Sequence, residues 1–137
     1  MPLGTGAKGA ITITGLDKLF HKLDTAAATK TLEPPMQRGV LRLQRPMQVY
    51  PPQPAHSLYR RIGTYGKRWT TKVRSSGNGL EGRVGNNLYY APFLGSSAFQ
   101  TAAHAHTGWT TDAQAVAENE DAILADFQTA VDRALAS

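Results

Sequence analysis

The stretch HAHTGW, residues 104 to 109, holds the side chains best suited to chemistry in this chain: His104 and His106, two apart, followed by Thr107, Gly108 and Trp109. On an extended segment residues two apart fall on the same side, so this pair could supply two metal ligands. Catalytic zinc needs about three protein ligands and an open position. The other two histidines are His21, on a predicted helix, and His56, beside a proline-rich connector. No HExxH or EF-hand pattern and no nearby carboxylate of ligand spacing completes a set. The absence of cysteine removes thiolate sites and disulfides together. No G-x-S-x-G elbow joins a serine to a histidine, and the glycines of GTYGK (63–67) lack the Walker spacing. The expectation is no enzyme, no metal and no cofactor. HAHTGW then reads as a loop in which Gly108 makes the turn, Trp109 anchors it, and the histidines serve packing or contacts.

The elements that must position this loop follow from periodicity. AITIT alternates, with Ile11 and Ile13 on one side, and reads as a short strand. Leu16, Leu19, Phe20, Leu23 and Ala27 fall at helical spacing. Pro34 and Pro35 are expected to interrupt that helix, because proline blocks the turn before it and suits a new first turn. A second helix then buries Met36, Val40, Leu43 and Met47, with Arg38, Arg42 and Arg45 outside and Pro46 kinking or fraying the last turn. YPPQP (50–54) reads as an extended connector. KRWTTKVR, SSGNG and LEGRVG make a hairpin: Trp69, Thr71, Val73, Leu80 and Val84 form one face, and Arg68, Thr70, Lys72, Arg74, Glu81 and Arg83 the other. NLYYAPF predicts a further short strand stopped by Pro92. Residues 94–111 predict a long loop or short helical turns. A last helix capped at Thr111 or Asp112 places Val116, Ile123, Leu124, Phe127, Val131 and Leu135 inward. The reading is an α+β fold: a small antiparallel sheet with a central hairpin, packed against N-terminal helices and a C-terminal helix. Residues 1–9 are expected as a flexible arm and residues 10–137 as one domain. Trp69, Val84, Phe20, Leu23, Ile123 and Phe127 are expected to share its core, with the hairpin's apolar face against the first and last helices.

A chain of 137 residues suffices for a single core. No apolar run approaches the roughly 20 residues of a membrane span. The opening MPLGTGAKGA lacks a signal peptide's apolar core, so synthesis in a cytoplasm without export by that route is expected. The formal net charge of +5 is unevenly spread. Residues 36–87 carry ten Lys or Arg against Glu81 alone, whereas residues 88–137 carry six acids against Arg133 alone. A basic middle before an acidic end suits a polyanion partner, contact between unlike faces of neighbouring copies, or two solvated faces of a monomer. Arg60, Arg61, Lys67, Arg68, Lys72, Arg74 and Arg83 could contact phosphates without reading sequence, with Tyr59, Tyr65 and Trp69 interleaved among them. No RNP motif, helix-turn-helix or zinc finger accompanies them. Residues 50–66 and 92–111 are long, poorly periodic and rich in Pro, Gly, Tyr and Ser. Their aromatics Tyr59, Tyr65, Phe93, Phe99 and Trp109 are candidate interface anchors.

YPPQPAHSLYRRIGTYGKRWTTKV, then VGNNLYYAPFLGSSAFQTAAHAHTGWTT, then a closing amphipathic helix, resembles the neck and minor tail proteins of long-tailed bacteriophages, the tail-completion or head-tail joining family. The resemblance spans roughly residues 10–136, with its motifs within 50–111. The family pattern has a proline-rich stretch, a Y-x-R-T-G-x-L/Y segment opening a hairpin, and a YA strand. Here these are Tyr50 to Pro54, Tyr59 to Tyr65, and Tyr90-Ala91; a subset shares the histidine and TGW of His106 to Trp109. After Tyr90-Ala91 this chain continues with Pro92, Phe93, Leu94 and Gly95, where many members have x-x-V-E-x-G-T. The resemblance implies a non-catalytic virion protein that forms a homo-oligomeric ring at the neck or top of the tail. Its implied partners are head-completion or connector proteins, the tail terminator or tail tube, and genomic DNA passing through the lumen, with no membrane. The basic stretch would then serve the DNA channel or charge-complementary contacts. The alternative from the residues is a non-sequence-specific nucleic-acid-binding protein using the basic hairpin face.

Overall fold

The computed structural model describes residues 3–5, 10–15, 25–52, 64–76 and 79–136. Strands β1 (Leu3–Thr5), β2 (Ile11–Ile13), β3 (Trp69–Ser76) and β4 (Gly79–Asn86) form one antiparallel sheet in the order β1-β2-β4-β3. The β3–β4 register runs from Trp69 opposite Asn86 to Ser76 opposite Gly79, and β2 adds to β4 with Ile11 opposite Val84. Successive side chains alternate between faces. Ile11, Ile13, Leu80 and Val84 are therefore buried together while Lys72, Arg74 and Arg83 reach solvent on the reverse. Residues 3–5 of the expected flexible arm instead pair with β2, which satisfies backbone donors and acceptors that β2 would leave open.

Helix α1 (Thr25–Gln48) runs unbroken through Pro34 and Pro35, against the expected interruption. Each internal proline costs about 3 kcal/mol in lost hydrogen bonding and steric clash. The buried stripe explains the tolerance: Ala28, Leu32, Met36, Val40, Leu43 and Met47 recur at three- and four-residue steps on both sides of the prolines. Full burial of a large apolar side chain stabilises by about 1.5–3 kcal/mol, and the unbroken helix is what keeps Ala28 and Leu32 in one buried stripe with Met36 to Met47. Pro35 is itself buried in that stripe. Pro46 lies in the last turn, where Val49 N–H donates to the Pro46 carbonyl at 3.4 Å. Arg38, Arg42 and Arg45 are exposed, as the spacing implied, but Ala28 rather than Ala27 faces inward. Leu16, Leu19, Phe20 and Leu23 lie outside the described residues.

Three short or terminal helices follow α2 (Thr64–Lys67): α3 (Ala91–Gly95), α4 (Ala102–Thr107) and α5 (Asp112–Ala136). α3 replaces the strand predicted from NLYYAPF. Pro92 falls in its first turn, where a missing N–H costs nothing. Among the described residues, the hairpin's apolar face is covered by α1; the first helix expected from Leu16 to Leu23 lies outside them. A Cβ at Gly82 would stand 2.6 Å from both Met36 Sδ and Val40 Cγ1, so β4 meets α1 where only glycine fits. α5 packs beside α1 and reaches β1. Gly39 marks that seam, with Ile13 Cδ1 and Ile123 Cγ2 at 3.2 and 3.5 Å from its Cβ position. Trp69, Val84, Ile123 and Phe127 share the core. Leu124 and Leu135, expected inward, are 38% and 57% exposed: the Ile123, Phe127 and Val131 stripe sets the buried face, and Leu124 stands a residue round from it. Arg38 forks onto Asp126 at 2.8 and 2.9 Å and ties α1 to α5. Among the described residues, no helix is long and apolar enough to cross a membrane.

Candidate functional site

HAHTGW occupies α4 and its exit. Thr101 caps the helix, its hydroxyl accepting from His104 N–H at 3.4 Å. Gly108 ends it at φ 101°, left-handed backbone that favours glycine, and donates to the His104 and Ala105 carbonyls at 3.2 Å. His104 Nδ1 lies 2.8 Å from both the Phe93 carbonyl and Thr101 Oγ1. A carbonyl only accepts, so Nδ1 carries the proton and His104 tethers α4 to α3. His106 is exposed. The Trp109 ring stands 5.1 Å from Tyr50, 5.5 Å from Tyr65 and 6.5 Å from His104, and Tyr65 meets Trp69 edge-on at 5.6 Å. Gly108 makes the turn and Trp109 packs inward as read from the residues, but His104 to Thr107 are the end of a helix and not the loop expected there. Among the described residues, no three His, Asp or Glu side chains converge as a metal site.

Tyr65 is the centre of this cluster and buried, so the surface anchor expected there is a core residue. The aromatic chain from Tyr50 through Tyr65 to Trp69 pulls it in, and its carbonyl accepts from Asn86 Nδ2 at 2.8 Å. Burial chiefly, then the nearby Tyr50 and Asp112, push the Tyr65 phenol well above its ordinary range. Trp109 is half-buried and holds the connection from within.

The chain from Leu88 to Thr111 is knitted by polar side chains bonded to its own backbone. Gln100 Nε2 donates to the Leu94 and Trp109 carbonyls at 2.7 and 2.9 Å. Asp112 is fully buried, and its Oδ1 accepts from Ser97 and Ala113 N–H at 2.9 and 2.7 Å. Thr111 and Gln114 form a reciprocal capping box at the start of α5. A Cβ at Gly95 would fall 2.5 Å from Tyr65 Oη, so the α3 end seats directly on the cluster. With the inside filled, Phe93 and Phe99 turn outward, 46% and 49% exposed. Tyr89, 88% exposed, stands edge-on to Tyr90 and joins them as an outward aromatic the strand assignment hid.

The second surface is the solvent face of the hairpin. Lys72 sits directly opposite Arg83, and Arg74 opposite Glu81 with a 3.7 Å ion pair. These four side chains line one shallow depression. Like charges in register repel, so the face carries electrostatic cost that an anionic partner would relieve. Lys67 and Arg68 are exposed where the chain enters β3. Tyr59, Arg60 and Arg61 lie outside the described residues. No family model matches the sequence, and neither a curated protein nor a solved structure matches it.

Proposed function

We propose that the protein is a structural virion subunit that forms a ring at the head-tail neck, or the top of the tail, of a tailed bacteriophage. In this reading it joins tail to head and surrounds the DNA passage, contacting itself, head-completion or connector proteins and the tail terminator or tube. It carries no catalysis and is assembled in the host cytoplasm. The observation that most supports this is the connection from Leu88 to Thr111. It is held from within by Tyr65, Trp109, Gln100 and Asp112, yet it turns Phe93 and Phe99 outward. A fixed loop with exposed aromatics is how an interface is built in advance of its partner. The resemblance of its motifs to the neck and minor tail family points the same way.

Electron microscopy of the concentrated protein tests the proposal, with rings around an open centre as the expected result. Protein that stays monomeric at every concentration, and is absent by mass spectrometry from purified particles of its phage, would defeat it. The like-charged pair Lys72 and Arg83 favours a second reading, non-specific nucleic-acid binding. Its mark is duplex affinity of a monomer that falls with salt at a log–log slope of roughly −3 for about three neutralised phosphates.

A further inference from the structure

We infer that the cationic face of the β3–β4 hairpin in one copy docks on the outward face of α5 in a second copy. This rests on the ring reading and adds the two surfaces that meet. Ala117, Asp121, Leu124, Gln128, Asp132 and Leu135 follow one another at three- and four-residue steps, so they share one helix face, and all six are exposed. That stripe holds two acids, two leucines and no base, with Glu118 exposed beside it. The Arg38–Asp126 pair sits on another flank of α5, against α1, and among the described residues no ion pair reaches the stripe's two acids. Asp132 is held by Gln128, whose Nε2 donates to it at 2.8 Å.

The hairpin face is the chemical complement. Lys72, Arg74 and Arg83 offer cationic heads on long apolar stems, and such stems can cover exposed leucines while the heads reach carboxylates. The lengths are similar: residues 117 to 135 of a helix rise about 27 Å, and an eight-residue strand spans about 24 Å from end to end. One copy cannot pair its own surfaces. α1 covers the inner face of the sheet with α5 beside it, so the cationic face lies on the outside of the sheet and the acidic stripe on the outside of the helix layer. Two different patches meeting on neighbouring copies make a head-to-tail contact, the kind that builds a ring when the rotation between copies closes. Nucleic acid on the hairpin would leave the acidic, leucine-bearing stripe without a partner, which is why a second copy is the better occupant.

The test uses two double variants of the full chain: Lys72→Glu with Arg83→Glu, and Asp121→Lys with Asp132→Lys. Self-association is read by analytical ultracentrifugation at low and high salt, alongside a thermal melt of each variant. The parent should associate less as salt rises. Each variant alone should associate at least ~10-fold more weakly, and an equal mixture should recover to within ~3-fold of the parent, since each supplies the charge the other lacks. A parent that associates while both variants behave like it, or a mixture that fails to recover, overturns this pairing and leaves the ring reading standing. A parent that is monomeric throughout overturns both. Loss of binding to a short DNA duplex by the hairpin variant, with unchanged association by the helix variant, assigns the face to nucleic acid and overturns the pairing. If a reversal prevents folding, Lys72→Gln with Arg83→Gln and Asp121→Asn with Asp132→Asn replace them, and each must still weaken association.

Discussion

Gly108 and Tyr65 carry the two residue-scale consequences that are simplest to measure. Gly108 holds φ at 101°, where a Cβ meets the following carbonyl. Gly108→Ala should therefore destabilise by about 1–2 kcal/mol, read as a lower urea midpoint, although its Cβ would have room 3.7 Å from Pro51. An unchanged midpoint would show that the turn relaxes freely. Tyr65 gives a pH dependence. Its phenol is raised in the folded state, mainly by burial, so folding favours the protonated form. The resulting stability is whole below the unfolded tyrosine value near 10 and is lost as pH rises from there toward the folded value. An absorbance titration should show one tyrosine ionising late, together with alkaline unfolding, and Tyr65→Phe should remove that late component. The roles of Gly108 and Trp109 were legible because turn and anchor chemistry are local. The burial of Tyr65 and Asp112 was not, because the groups beside them, Tyr50, Asn86, Gly95 and Trp109 for Tyr65 and Ser97 for Asp112, are distant in sequence.

Among the elements, α1 departs furthest from local rules. Pro34 is exposed, so replacing it removes no packing and restores a donor to the Lys30 carbonyl. Pro34→Ala is expected to stabilise by about 1–3 kcal/mol, the gain in the folded helix exceeding the extra freedom of the unfolded chain. A lower thermal midpoint would mean that the helix is not continuous there. The case shows where sequence reading stops. Periodicity found the buried stripe Met36, Val40, Leu43 and Met47 correctly, but propensity placed a boundary at the prolines that packing overrides. The hairpin was legible almost residue by residue, since side chains alternate from Trp69 to Arg74 and again from Leu80 to Val84. The α3 turn was not, because Tyr90, Ala91 and Phe93 look like strand residues until Pro92 is counted as a helix starter. Leu124 and Leu135 likewise fit the inward stripe by type, and only the seating of Ile123 and Phe127 against α1 decides otherwise.

For the whole molecule, the proposed assembly separates residues that hold the fold from residues that meet neighbours. Phe93→Ser with Phe99→Ser removes two half-exposed rings that the core does not need. Its thermal midpoint should stay close to the parent's, with a change of about 0.5 kcal/mol or less. Ring formation should be lost in the same sample. Lost stability with retained assembly would place these rings in the core and not at a contact. The sheet order has one further result, which concerns time. β2 pairs with β4, so Ile11 waits for Val84, which leaves the ribosome roughly 70 residues later. At about 5–20 residues per second that is a delay of roughly 4–14 s. During it, β2 has only β1 to pair with, and the two N-terminal strands join the rest of the sheet once β4 has been made.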